Sequence, residues 1–243
     1  FFGLSIAHTP FAAERAEVLD SNSLADSIQA IGFDCTRCGK CCTGQPDDPH
    51  TATIFPDEVR DLETATGKSW DAVARPIPFG LDEGRGETFE WALQTDECGD
   101  CRFLVQHGDG TACGAYRNRP LICQTYPFSV DLAAPGPDDE SATGFSGVDH
   151  EEAVVARNGA IRAHECPGLG RDIDRERARA LARVLRERTI RELEEAIAVR
   201  EHYDPTVGDA EPVVVHDSEG AKRPDGTPLR GRPSSAQAAD DGE

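Results

Sequence analysis

The sequence predicts an α+β fold: a small cysteine-rich domain with antiparallel hairpin strands, flanking helices and a long C-terminal amphipathic helix. Three observations predict it. Strand-like alternation and tight-turn signals sit in the middle of the 243-residue chain, and helical periodicity lies toward both ends. Strands grouped between helices argue against alternating βαβ units. Nine cysteines, all between Cys35 and Cys166, occupy the strand-bearing region, where large apolar side chains are thin.

The elements follow in order. Residues 12–19 suit a short helix, and Ser23 can cap a second over 24–31 that ends near Gly32. Residues 33–50 read as a cysteine-rich loop. Pro56 in a first turn, with Asp57 and Glu58 behind it, opens a helix to about residue 65 that Gly67 ends. Ser69 caps one further turn before Pro76. Phe89, Trp91 and Leu93 alternate with Glu90, Ala92 and Gln94, as in a half-buried strand. Residues 102–105 and 112–116 flank the turn His107-Gly108-Asp109-Gly110, a hairpin signal. Residues 128–132 suit one more strand. Residues 134–152, rich in Gly, Pro and acids, read as a loop.

Over 171–202 there is neither Gly nor Pro, and Leu181, Val184, Leu185, Ile190, Leu193 and Ile197 stand near helical spacing. Nine arginines and eight acids share this stretch, which fits a salt-bridged face better than a nucleic-acid surface. Residues 204–243 hold five Pro, five Gly and no aromatic residue. They are expected to form an acidic, disordered tail, with Val213–Val215 as a candidate docked strand. The expected organisation is an N-terminal helical segment (1–30), a cysteine-cluster domain (31–170), a helix packed on it (171–203) and the tail.

Charge excludes some partners. Acids number 45 against 25 Lys plus Arg, a formal charge of −20. A basic face for nucleic acid, or docking on anionic lipid, is not expected. No apolar run approaches the length of a membrane span. Lysine occurs only as Lys40, Lys68 and Lys222. Acid excess with so little lysine suits a chain that stays hydrated in multimolar salt, and a salt-adapted microbial source is expected. The opening Phe1-Phe2-Gly3-Leu4 is apolar but short and lacks a basic segment. It is not expected to be a signal peptide, and the expected location is the cytoplasm, where thiols stay reduced.

The chemistry lies in Cys35-Thr36-Arg37-Cys38-Gly39-Lys40-Cys41-Cys42, a C-x2-C-x2-C-C run. Two-residue spacers let successive sulfurs turn toward one point, and Gly39 supplies backbone freedom at the tight part. Thiolates this close repel one another unless a cation neutralises them, so the run implies a metal ion or cluster. Disulfides suit neither the expected compartment nor an odd count of nine. A redox dithiol needs one C-x2-C pair and leaves most of the thiols unexplained. A second pair, Cys98 and Cys101, precedes single cysteines at 113, 123 and 166. No Ser/His/Asp arrangement or phosphate loop stands out.

These residues resemble the YkgJ-type cysteine-cluster family, nicknamed after its CxxCxxCC motif. The resemblance continues through Cys101-Arg102-Phe103-Leu104, then the block from Cys113 through Tyr116, Arg119-Pro120, Cys123 and Tyr126-Pro127, to Cys166-Pro167-Gly168. It covers roughly residues 31–170. It implies zinc or iron chelation through eight thiols: Cys35, Cys38, Cys41, Cys42, Cys101, Cys113, Cys123 and Cys166. Cys98 is then the extra one. Arg119 is the expected donor that offsets thiolate charge from behind the ligands. Tyr116 and Tyr126 are expected to pack around the site. His50, His107, His150 and His164 are loop histidines and ordinarily solvated; His164 is the nearest to a cysteine, Cys166.

Thiol-only ligation suits zinc and iron–sulfur alike, with a slight preference here for iron–sulfur. Three functions stay open: a metal-chelating protein, an iron–sulfur enzyme of electron or methyl transfer, and a zinc-stabilised module that presents a surface to a protein partner. The family includes flagellin lysine N-methylases, but nothing in this chain singles out that activity.

Overall fold

The computed structural model describes residues 15–108, 110–132, 154–208 and 211–229. Five helices are labelled in chain order: α1 (Ser21–Ile31), α2 (Pro56–Thr66), α3 (Trp70–Val73), α4 (Leu121–Thr125) and α5 (Arg175–His202). The strands are β1 (Thr53–Ile54), β2 (Ala74–Pro76), β3 (Leu81–Asp82), β4 (Arg85–Thr88), β5 (Trp91–Leu93) and β6 (Leu104–His107). They continue with β7 (Gly110–Cys113), β8 (Phe128–Val130), β9 (Val154–Asn158), β10 (Ile161–His164), β11 (Val213–Asp217) and β12 (Gly220–Lys222). The α+β expectation holds. Every strand pairing is antiparallel except that of β11 with β4. No described helix is long and apolar enough to cross a membrane.

The chain forms two compact units, one from residues 1–52 and 95–197, the other from 53–94 and 198–243. The first holds all nine cysteines. Its core joins Leu24, Ala25 and Ile28 of α1 to Phe128 of β8, Ile161 and Ala163 of β10, and Ala178, Ala182 and Leu185 of α5. Leu193 follows in a smaller cluster with Ala16. The buried stripe of α5 thus runs through Ala178, Ala182, Leu185, Thr189 and Leu193, spaced by three or four residues. Two of these are alanines, which let the helix approach its neighbours closely. Leu181 and Val184, expected in that stripe, are only partly buried.

Local chemistry explains the boundaries. Asp20, not Ser23, caps α1: its carboxylate accepts from the backbone N–H of Asn22 and of Ser23. Two carboxylate oxygens outcompete one hydroxyl. Gly32 follows, as expected. Helix α2 begins at Pro56 and ends at Gly67 in the left-handed region. The expected helix at 12–19 is described only over 15–17, and the expected loop at 134–152 lies outside the described residues. The hairpin β9–β10 was not anticipated, although Asn158-Gly159 at its turn is a hairpin signal. Sheet β8-β10-β9 results.

The second unit corrects the reading of residues beyond 203. Over 211–229 the chain is not a free tail. Strand β11 lies inside a four-stranded sheet of order β12-β11-β4-β3, with Val214 and Val215 both 0 % exposed. The candidate strand at Val213–Val215 is thus a docked one; composition hid the rest, because one Val-rich strand flanked by Gly and Pro adds little to a 40-residue average. Lys222, one of the chain's three lysines, is buried and pairs with Asp217 and Glu219, each at 2.7 Å. The indole N–H of Trp91 donates to the same Asp217 oxygen at 2.8 Å. A buried lysine is tolerable only with such partners.

His216 of β11 is buried with its ring stacked on Phe89 (5.5 Å between centroids) and edge-on to Tyr203 (4.7 Å). Neither ring nitrogen has a hydrogen-bond partner among the described residues, and the Glu87 carboxylate stands 3.8 Å away. Burial holds its pKa below the ordinary 6.5 against the pull of Glu87. The folded state therefore takes up this proton at lower pH than the unfolded state does. The stability contributed by the neutral ring is complete above pH 6.5 and is lost as pH falls toward the folded value. Melting temperature should drop over that window, and His216→Phe, which keeps an apolar ring in the nest, should flatten the drop. An unchanged slope in the variant would assign the pH dependence to other groups.

Candidate metal centre

The 33–43 segment is pinned at both ends. Phe33 bridges to Leu169, and the Asp34 N–H donates to the Gly168 carbonyl at 3.0 Å. Lys40–Cys42 form one turn of 3-10 helix, entered through Gly39 at φ +76. A β-carbon at Gly39 would stand 2.3 Å from Thr111 Oγ1, so glycine is required here by space as well as by φ. The Cys101 N–H donates to the Cys42 carbonyl at 2.8 Å, which brings the second cysteine segment onto the first. Asp100 secures it by accepting from the Gly44 N–H at 2.9 Å.

Three other elements deliver the remaining thiols. Cys113 ends β7, opposite Leu104 of β6. Pro120 starts α4, whose one and a half turns carry Cys123 between the buried Leu121 and Thr125. Cys166 follows β10, where its sulfur accepts from the Gly168 N–H at 3.4 Å. Cys101 is buried, Cys42, Cys113, Cys123 and Cys166 are half-buried, and Cys35, Cys38 and Cys41 are exposed.

The thiols feel one another's charge, and Cys41 is their common neighbour. Its sulfur lies 3.8 Å from that of Cys42. The hydrogen bond from Cys42 holds Cys41 down at about 7, with help from the Arg119 guanidinium. The same bond pushes Cys42 strongly up, and burial and the charges of Cys41, Cys101 and Cys123 add to the effect. Burial first, then the charges of Cys113 and Cys41, pushes Cys101 up to about 11. Cys123 and Cys113 are raised by burial and neighbouring thiols, and Arg119 opposes the rise at both. Cys166 is raised by burial and by Cys38, Cys41 and Cys35. Cys38 is lowered, chiefly by the Thr36 hydroxyl. Two sets emerge: Cys41, Cys42, Cys101, Cys113 and Cys123 beside Arg119, and Cys35, Cys38, Cys41 and Cys166.

As placed, no three His, Cys, Asp or Glu side chains among the described residues converge tightly enough to hold a metal ion. Cys35, Cys38, Cys41, Cys123 and Cys166 line one cleft with the cationic side chains of Arg37, Lys40, Arg119 and Arg177. Arg119 lies 4.1 Å over the Tyr116 ring and donates through Nε to the Tyr116 carbonyl.

Comparison with family models decides the chain's family. The model of the CxxCxxCC family, described as "Putative zinc- or iron-chelating domain", matches residues 34–167, more than half of the chain. The chain belongs to the CxxCxxCC family. No curated protein and no solved structure matches it.

The CxxCxxCC match spans Cys35 to Cys166 and so includes all nine cysteines. Cys98 is exposed and sits in a turn, where its N–H donates to Asp96 Oδ1. His164 bonds to Ser129 Oγ at 3.1 Å, His107 ends β6, and His150 lies outside the described residues. Tyr116 and Tyr126 both line a cleft beside the thiols, as expected of residues packed around the site. Sequence reading missed Thr36, Asp100 and Thr111, each of which acts on the thiol loops. Thr36 and Asp100 lie inside the cysteine spacers and were open to suspicion on that ground. Thr111 carries no such signal, because only the fold brings it to Gly39.

Proposed function

We propose that this CxxCxxCC protein chelates zinc or iron through the thiolates of Cys35, Cys38, Cys41, Cys42, Cys101, Cys113, Cys123 and Cys166, and that the metal organises the first unit. The observation that carries the reading is the family match over residues 34–167, within which the Cys41 and Cys42 sulfurs stand 3.8 Å apart. Each charged sulfur makes the next harder to ionise, and the Arg119 guanidinium offsets this only in part. A cation resolves the conflict, and all-sulfur donors suit zinc and iron–sulfur chemistry. Cys41, Cys42, Cys101, Cys113 and Cys123 would supply one centre, and Cys35, Cys38 and Cys166 would complete a second. Bound zinc would act as a structural cross-link, and an iron–sulfur cluster would add electron transfer.

Anaerobic purification followed by metal and acid-labile sulfide analysis tests this. Stoichiometric metal is expected. A brown protein with matching sulfide assigns iron–sulfur; a colourless protein with zinc assigns the cross-link. Substoichiometric metal in an anaerobic preparation, unaltered by reconstitution with either metal, would overturn chelation.

A further inference from the structure

Helix α5 lies wholly beyond residues 34–167, the stretch that the family model matches, yet one of its side chains holds the segment that carries Cys123. That segment cannot hold itself. Helix α4 has five residues, too few for a helix to be stable alone, and no side chain caps its start. Its far end is gripped from α5. The Arg188 Nη1 donates to Thr125 Oγ1 at 3.0 Å and to the Phe128 carbonyl at 3.2 Å. The buried Thr125 hydroxyl donates in turn to the Leu121 carbonyl at 2.8 Å, one turn back, with Cys123 between the two. Arg188 is itself held. Its Nε donates to Glu192 at 2.7 Å, with both side chains less than a fifth exposed, and the neighbouring Leu185 and Thr189 of α5 are buried. Arg119 acts on the Cys123 sulfur by charge. Arg188 is bonded instead to the groups on either side of Tyr126-Pro127, so it acts on the shape of the segment.

From this we infer that Arg188, braced by Glu192, is a positioning residue for the metal centre: it fixes α4 and so the direction from which the Cys123 sulfur is offered. The inference rests on the chelation reading and adds to it a residue from outside the matched family region.

Three variants of the full chain test it. Arg188→Gln removes the grip, and Thr125→Val removes its hydroxyl while keeping the shape. Arg186→Gln is the control. That arginine, on the same helix, donates to the Leu19 carbonyl at 3.0 Å and to the Glu17 carbonyl at 2.5 Å, and so serves a different segment. Each chain is loaded with zinc or iron, whichever the wild type holds, and the metal is titrated off with a chelator. Arg188→Gln and Thr125→Val should each weaken retention by about tenfold or more, and Arg186→Gln should match the wild type. Iodoacetamide labelling read by peptide mass spectrometry gives a second measure that needs no metal. Cys123 should react faster in the first two variants, with Cys166 unchanged. If Arg188→Gln does not fold, Thr125→Val decides alone. Retention and Cys123 labelling equal to the wild type overturn the inference, and so does an equal loss of metal in Arg186→Gln, which would make Arg188 one more structural contact. The two readings fail separately. A wild-type chain that takes up neither zinc nor iron overturns chelation, and Cys123 labelling on that same chain still supports or overturns the grip on α4.

Discussion

Cys123→Ala is expected to strip metal from the chain and to abolish the cooperative melt of the first unit in one step. Magnitudes separate this from an ordinary core substitution. Removing one sulfur from a half-buried position costs on the order of 1 kcal/mol. Losing a thiolate-bound metal forfeits on the order of 10 kcal/mol, comparable with the whole stability of a domain. The apolar core of the first unit gathers on α1, α5 and the β8-β10-β9 sheet, and the thiol loops add little to it. Cys38→Ala should behave like Cys123→Ala, whereas Cys98→Ala, an exposed turn residue, should be mild. Metal content and circular dichroism melts with and without chelator make the measurement. A chelated protein that keeps a sharp transition close to that of the metal-loaded form would show that α1, α5 and the sheet hold the unit alone.

A chain ending at Tyr203 is expected to lose the second unit. The truncation removes both β11 and β12, leaving β4 paired with β3 alone, and with them Val207, Val214, Val215 and Asp217, all buried. Three valines contribute about 1.5–3 kcal/mol each. The Trp91 N–H, left without Asp217, adds roughly 1–3 kcal/mol. The sum falls within typical domain stability of about 5–15 kcal/mol. Val214→Asp, at full chain length, should reproduce the loss, because it places a charge at a position that is 0 % exposed, among Val207 and Ala221. Limited proteolysis over 53–94 reads the outcome directly. A truncated chain as resistant as the full one would mean that β11 is dispensable.

These two expectations mark the boundary between linear and spatial information. The cysteine spacing, the turn at 107–110, Pro56 and Gly67 around α2, and the helical run ending at His202 are local. Each rests on residues a few positions apart, so each was legible without coordinates. The candidate ligands were legible for the same reason, together with the block that runs from Cys101 to Pro127.

Long-range pairings were not. Residues 204–243 read as a tail with only a candidate strand at Val213–Val215, because their apolar content is small, and burial of Val214 and Val215 depends on Glu87 and Thr88 of β4, more than 120 residues earlier in the chain. The buried stripe of α5 was misjudged in a related way. Periodicity identified an amphipathic helix, but Ala178 and Ala182 carry too little apolar weight to be seen in a pattern. Close approach of neighbouring elements is what buries them. That same choice of stripe turns Leu181 and Val184 toward the cleft beside the thiols. The residue types and spacings declare thiol chemistry, since sulfur donors must be present in number and near one another. Which thiols feel Cys41, where Arg119 acts and what lines the neighbouring cleft follow from packing, because distance through space is not a function of distance along the chain.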